Sequence, residues 1–194
     1  MMTSLPSSDM IISLTGFMGC GKSSVGRELS ALLSCPLVDL DTYIESGSGR
    51  TIPEIFASEG EAAFRTMELT ALKELLPADM KQPMHSPEMV LSLGGGTLTT
   101  YECADLVHRC TTCIYLRATT DTLFNNLKDD SSGRPMLSGE QETFRQRIES
   151  LMESRGPVYE STAHIIIDID GRSFTSIAAG IESMLRTGAA TLLP

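Results

Sequence analysis

Gly16-Phe17-Met18-Gly19-Cys20-Gly21-Lys22-Ser23 narrows what this chain can fold into more than any other stretch. An apolar run at 10–15 precedes it and predicts a buried strand. Val25, Leu29, Leu32 and Leu33 come after it and share one helical face. The pattern G-x-x-x-x-G-K-[ST] between a strand and a helix is a phosphate cradle. Its glycines let the backbone wrap closely, so that N–H groups point inward, and the helix presents its positive end to the anion. In that setting Gly19, Cys20, Gly21, Lys22, Ser23 and Ser24 are nucleotide-binding candidates. Lys22 reaches the β and γ phosphates, Ser23 offers a hydroxyl to Mg²⁺ and Ser24 donates to the α phosphate. The plainer alternative is a glycine-rich turn that binds nothing.

Further apolar runs at 36–40, 89–93, 113–116 and 163–169 predict four more strands. Helical faces recur between them at Leu69, Leu72, Leu75 and Leu76, at Phe144, Ile148, Leu151 and Met152, and at Phe174, Ile177, Ile181 and Leu185. Strands alternating with helices imply a parallel sheet covered on both faces. At 194 residues the chain holds one well-buried core rather than two. Residues 42–76 form a long, mostly helical insertion, and the polar segment within 126–141 suits a mobile cover. Residues 77–87, with three prolines, read as a surface connection.

The formal net charge of −10 argues against a nucleic-acid partner, since phosphate backbones are bound through clustered Lys and Arg. Small anionic ligands remain open to it, because a few arginines in a cleft suffice. No apolar run reaches the roughly 18 residues of a membrane span, and the opening residues have neither a basic region nor an apolar stretch. A cytoplasmic location is expected. Five cysteines suit a reduced protein, and the lone Cys110-x-x-Cys113 lacks the second ligand pair of a zinc site.

Many nucleotide-hydrolysing enzymes with this loop end a later strand in a carboxylate, but here the third strand ends Leu91-Ser92-Leu93-Gly94-Gly95-Gly96. The acids lie instead in Val38-Asp39-Leu40-Asp41. Strand alternation would put Asp39 and Asp41 on one side, about 7 Å apart, at the carboxyl edge where such sheets bind ligands. Asp39 can then support Mg²⁺ through water, and Asp41 can bind and deprotonate an acceptor hydroxyl. Either can instead cap the next helix. The string Asn126-Leu127-Lys128-Asp129 fails the N-K-x-D pattern of guanine readers.

The loop, Asp39-x-Asp41, Ile52-Pro53-Glu54-Ile55-Phe56, Gly60-Glu61-x-x-Phe64-Arg65-x-x-Glu68, Gly94-Gly95-Gly96, Arg134-Pro135-Met136-Leu137 and Arg155-x-x-x-Tyr159 stand in the order and spacing of the shikimate kinase family. The chain resembles that family from about residue 11 to about 172. The resemblance implies a nucleoside-monophosphate-kinase-like α/β domain with a five-stranded parallel sheet, a substrate-binding helical region at 42–76 and a lid at 126–141. It implies transfer of the γ-phosphoryl group of MgATP to the 3-hydroxyl of shikimate by a monomer.

By the same resemblance Lys22, Asp41 and Arg134 are catalytic, Arg65, Gly95, Arg155 and Asp41 bind the acceptor, and Ser23 and Asp39 serve the metal. Guanidinium forks suit a carboxylate better than a lysine does. Phe56 and Phe64 would form an apolar wall, and Arg172 sits in a turn that resembles the family's adenine-binding loop. Plainer readings coexist: Arg65 can pair with Glu61 or Glu68 at helical spacing, Gly94 to Gly96 can be a strand exit, and Arg134 a turn residue before proline. One departure concerns the base: family lids carry a further arginine where this chain has Lys128-Asp129-Asp130. Rival functions are a gluconate or nucleoside monophosphate kinase, and a nucleotide-binding module without catalysis.

Overall fold

Every residue of β1 (Ile11–Thr15) is buried, as a central parallel strand covered on both faces requires. In the computed structural model, which describes residues 11–76, 87–128 and 141–187, four more strands join it: β2 (Leu37–Asp39), β3 (Met89–Ser92), β4 (Thr112–Arg117) and β5 (Ile165–Asp168). All pairs are parallel, in the order β2-β3-β1-β4-β5. The five expected strands are therefore present, each trimmed or extended by a residue or two.

Strand order fixes where a ligand can enter. β1 lies in the middle, with the β2–β3 half on one side and the β4–β5 half on the other, so the chain reverses direction at the loop that leaves β1. Ligands of such sheets bind at that switch point. The register aligns Asp39 with Ser92 and Ser92 with Leu14. The segments after β2, β3 and β1 consequently leave the sheet side by side.

Helices α1 (Lys22–Leu33), α2 (Leu40–Ser48), α3 (Ile52–Leu75), α4 (Tyr101–Cys110), α5 (Thr120–Leu127), α6 (Gln141–Thr162) and α7 (Phe174–Thr187) cover the sheet, and a 3-10 turn spans Thr97–Thr99. α1 buries Val25 and Leu29, α7 buries Ile177, Ala178 and Ile181, and the two pack together. α4 and α5 carry none of the periodic apolar faces that predict helices from the sequence. Each is short and buries only a pair of apolar residues, Cys103 with Val107 and Leu123 with Leu127.

The insertion at 42–76 is helical, as expected, but broken. α3 starts where the Glu54 carboxylate accepts from both the N–H and the hydroxyl of Thr51, at 2.8 Å each. It breaks at Gly60, whose φ of 81° and ψ of 176° are open only to glycine. The break lets two differently directed segments, one carrying Phe56 and one carrying Phe64, Arg65 and Glu68, face a single cleft.

Cys113 is buried in β4, matching its reading as a strand residue. Among the described residues no cluster of His, Cys, Asp and Glu could hold a metal ion, and no helix is long and apolar enough to cross a membrane. The connection at 77–86, most of the lid at 129–140 and the two chain ends lie outside the described residues.

Candidate active site

The cleft encloses about 800 Å³ along the carboxyl edge of β1, β2 and β3. Its floor is the glycine loop. Gly16, Gly19 and Gly21 all have positive φ, and Gly21 in the left-handed region is the N-cap of α1. The Lys22 ammonium donates to the carbonyls of Gly16 at 2.9 Å and Phe17 at 3.0 Å, spanning the loop. The Asn126 amide, at the end of α5, donates to the Gly19 carbonyl at 2.9 Å. Cys20 is wholly buried, and burial pushes its thiol pKa up. Only its backbone can serve a ligand.

Asp39 and Asp41 both line the cleft, but strand alternation is not what brings them there. β2 ends at Asp39 and α2 begins at Leu40, so Asp41 stands in the first turn of a helix. Asp39 is that helix's N-cap, with its Oδ1 accepting from Thr42 N–H at 3.3 Å. The capping reading therefore holds, and the same carboxylate also reaches the phosphate loop, where its Oδ2 accepts from the Ser23 hydroxyl at 2.8 Å. This pair of adjacent hard oxygen donors beside the phosphate loop fits Mg²⁺, which takes one or two protein oxygens and keeps its remaining sites for water and phosphate.

Asp41 is mostly buried. Burial, then the charges of Asp39 and Glu68, push its pKa up to about 6, against the opposing pull of Lys22. A carboxylate held near that value is still ionised at neutral pH yet basic enough to take a proton from a hydroxyl.

The three glycines after β3 are needed for space, since none of them has positive φ. A Cβ on Gly94 would lie 2.8 Å from Asp41 Oδ1, 2.9 Å from Thr97 Oγ1 and 3.1 Å from Glu68 Oε1. One on Gly95 would lie 3.1 Å from the Met18 backbone nitrogen, and one on Gly96 would collide with Arg65 Nη2 and lie 2.8 Å from its Cζ. Each glycine thus makes room for a different part of the site.

Arg65 is held by two carboxylates, Glu61 at 2.7 Å and Glu68 at 2.5 Å. The helical-spacing ion pairs form, and Arg65 also lines the cleft. Burial works against its charge, and the two acids outweigh burial and raise its pKa. Glu68 is fully buried and also accepts from the Thr97 hydroxyl at 2.5 Å. Arg155, on α6, is 5% exposed, donates to the Gly95 carbonyl at 3.2 Å and lies 6.0 Å from the centre of the Phe17 ring. Tyr159, one turn on, donates its hydroxyl to the same carbonyl. Phe56 and Phe64 stand 5.0 Å apart as an apolar wall.

Of the residues anticipated from sequence, the structure gathers Gly19, Gly21, Lys22, Ser23, Ser24, Asp39, Asp41, Arg65, Gly95 and Arg155 around one cleft. Arg134 lies outside the described residues. Arg172 is not brought to the cleft: its guanidinium donates to the carbonyls of Asp168 and Ser176, both at 3.2 Å. Thr97, Asn126 and Phe174 were not anticipated. Glu68 and Tyr159 were visible only as letters of a motif, and their spacing from Arg65 and Arg155 was the available signal.

A sequence model described as shikimate kinase matches residues 18–186. A shikimate kinase of Thermus thermophilus is 38% identical over 181 residues, which is 93% of this chain and 92% of that one. The solved shikimate kinase from Acinetobacter baumannii in complex with shikimate superposes with a TM-score of 0.83 at 30% identity, covering 94% of this chain and 96% of its own. That from Bacteroides thetaiotaomicron gives 0.79 at 30% identity, covering 91% and 98%.

Proposed function

Because the chain belongs to the shikimate kinase family, we propose that it transfers the γ-phosphoryl group of ATP to the 3-hydroxyl of shikimate, using the groups around the glycine-lined cleft. The observation that carries this assignment of roles is Asp41, a largely buried carboxylate whose pKa is pushed up to about 6 and which lines the same cleft as the phosphate loop and Arg65.

The loop and the α1 N-terminus hold the phosphates of ATP. Arg65 and Arg155 receive the carboxylate of shikimate, and Asp41 accepts a hydrogen bond from its 3-hydroxyl. In the transfer a bond forms between that oxygen and the γ phosphorus, the bond from phosphorus to the β,γ-bridging oxygen breaks, and the hydroxyl proton passes to Asp41. ADP leaves carrying the bridging oxygen. Lys22, released from the Gly16 and Phe17 carbonyls, stabilises charge on the β and γ phosphates.

Ser23 and Asp39 would hold Mg²⁺, whose contribution is to neutralise phosphate charge. Arg134 is assigned to the transferring phosphoryl group on its Arg-Pro-Met-Leu string alone. Arg134→Ala should lower kcat by about 10³-fold or more, the scale of such arginines, with the melting temperature barely moved; a large stability loss would mark it as structural. A single domain, a monomer and a cytoplasmic location complete the reading.

ADP release measured with shikimate, gluconate and nucleoside monophosphates as acceptors tests the assignment, with the phosphorylated product identified by mass. Turnover with another acceptor and none with shikimate would sink it. Binding of ATP and shikimate without product in a single turnover would favour a catalytically idle module.

A further inference from the structure

The peptide that joins Gly95 to Gly96 is gripped from α6. Its carbonyl accepts from Arg155 Nη1 at 3.2 Å and from the Tyr159 hydroxyl, so both lone pairs of the oxygen are taken. Gly95 also abuts the phosphate loop: a Cβ there would lie 3.1 Å from the Met18 nitrogen and 3.7 Å from the Gly16 carbonyl oxygen. The glycine exit of β3 is thus held between the loop that serves the donor and the helix that carries an arginine assigned to the acceptor.

α6 does not fix that arrangement unaided. Pro157 stands inside the helix between Arg155 and Tyr159. It has no N–H to give the carbonyl one turn back, and its ring crowds that carbonyl, so the backbone is weakened where the two side chains leave it. Their shared acceptor ties them together across the weak point. Tyr159 is wholly buried, and its ring lies 5.2 Å from that of the buried Tyr115 on β4. Packing against the sheet therefore holds the hydroxyl in place. Burial pushes the phenol pKa up, against the pull of Arg155, and at neutral pH the group keeps its proton as a donor.

We infer that the Tyr159 hydroxyl is a positioning group of the acceptor site: through the Gly95 carbonyl it sets where the glycine exit and Arg155 stand relative to the phosphate loop. The peptide bond is trans, so its N–H, that of Gly96, points opposite to the carbonyl. The same hydrogen bond therefore directs the Gly96 N–H away from α6. Gly95, Gly96 and Arg155 line the cleft and Tyr159 does not, so the phenol acts through them rather than on a ligand. The inference rests on the reading of Gly95 and Arg155 as groups that bind the acceptor.

The test is steady-state kinetics of the intact chain with MgATP and shikimate. Tyr159→Phe removes the hydroxyl and keeps the ring, and it should raise the KM for shikimate about tenfold or more, since a displacement of about 1 Å can cost 10²-fold. The KM for ATP should stay near the parent value. Replacing Tyr159 by 4-aminophenylalanine restores a donor at the same place and should recover the KM for shikimate. Tyr115→Phe removes the neighbouring buried hydroxyl and should leave both KM values unchanged. A parent-like KM for shikimate in Tyr159→Phe would overturn the inference. Equal rises for both substrates, an equal effect of Tyr115→Phe, or a Tyr159→Phe chain that fails to fold would do the same, by making the residue a packing element. A parent chain that does not phosphorylate shikimate would defeat the kinase reading and this inference with it, whereas an active parent with an unaffected phenylalanine variant would defeat this inference alone.

Discussion

Arg65 and Glu68, three residues apart on α3, meet at 2.5 Å with Glu68 entirely out of water. The cation that faces the cleft is therefore anchored from behind by a buried anion, which Thr97 also binds. Removing one partner of a buried pair costs about 3–5 kcal/mol, because the other charge is left uncompensated. Glu68→Ala should lower the melting temperature by several degrees and raise the KM for shikimate much more than that for ATP. Arg65→Lys should show the same bias toward the acceptor with a smaller stability loss. Equal loss of both substrates in Arg65→Lys would contradict the proposed acceptor site.

Asp41 supplies a pH test with a defined sign. Its ionised form is the proposed acceptor of the hydroxyl proton, so kcat/KM for shikimate should be full above a pKa of about 6 and fall about tenfold per pH unit below it. Asp41→Asn should remove that limb along with most of the activity. Stability runs the other way. The folded pKa lies above the unfolded value of 3.8, so the folded state binds the proton more tightly and loses stability as pH rises from about 4 to 6. The shift corresponds to a penalty of up to about 3 kcal/mol that is complete above pH 6. Asp41→Asn should therefore melt higher than the parent at pH 7.5 and no higher at pH 4. A parent-like melting curve at both values would show that the carboxylate is not strained by burial.

Gly96 separates space from flexibility. A Cβ there would collide with Arg65 Nη2 and lie 2.8 Å from Cζ, and the guanidinium must move. Gly96→Ala should raise the KM for shikimate about tenfold or more, as a displacement of about 1 Å can cost 10²-fold, while the KM for ATP stays near the parent value. Unchanged kinetics would mean that Arg65 does not hold the acceptor in this position.

The Ser23–Asp39 contact bears on the metal. Asp39→Asn keeps the helix cap but weakens a support for Mg²⁺, and should raise the half-saturating Mg²⁺ concentration about 10- to 100-fold. The KM for shikimate at saturating Mg²⁺ should change little. If the Mg²⁺ requirement stays at the parent value, Asp39 serves only as a cap.

Much of this architecture is legible in the sequence because its signals are local. The glycine octapeptide needs only its own residues to define a phosphate loop, and apolar runs of four to seven residues define buried strands wherever they pair. Cys103 with Val107 and Leu123 with Leu127 are too sparse to mark α4 and α5, since two buried residues carry no period. The end of β2 is misread for a related reason. Alternation looks sufficient for Asp39 and Asp41, but the Asp39 side chain captures the Thr42 N–H and turns the chain into a helix one residue early.

From the sequence alone came the loop, its lysine and serine, the family they belong to, and the residues proposed to bind the acceptor. Tertiary structure alone decided how those residues are supported and which of them are turned away. The burial of Glu68 behind Arg65, the three glycines each cleared for a different neighbour, Arg172 folded back on its own turn and Tyr159 bound to the Gly95 carbonyl all depend on how the folded chain brings its segments together. A local pattern can specify a backbone conformation, but desolvation and steric fit are set only when distant segments meet, and these determine the charge state of Asp41 and the room left for a ligand.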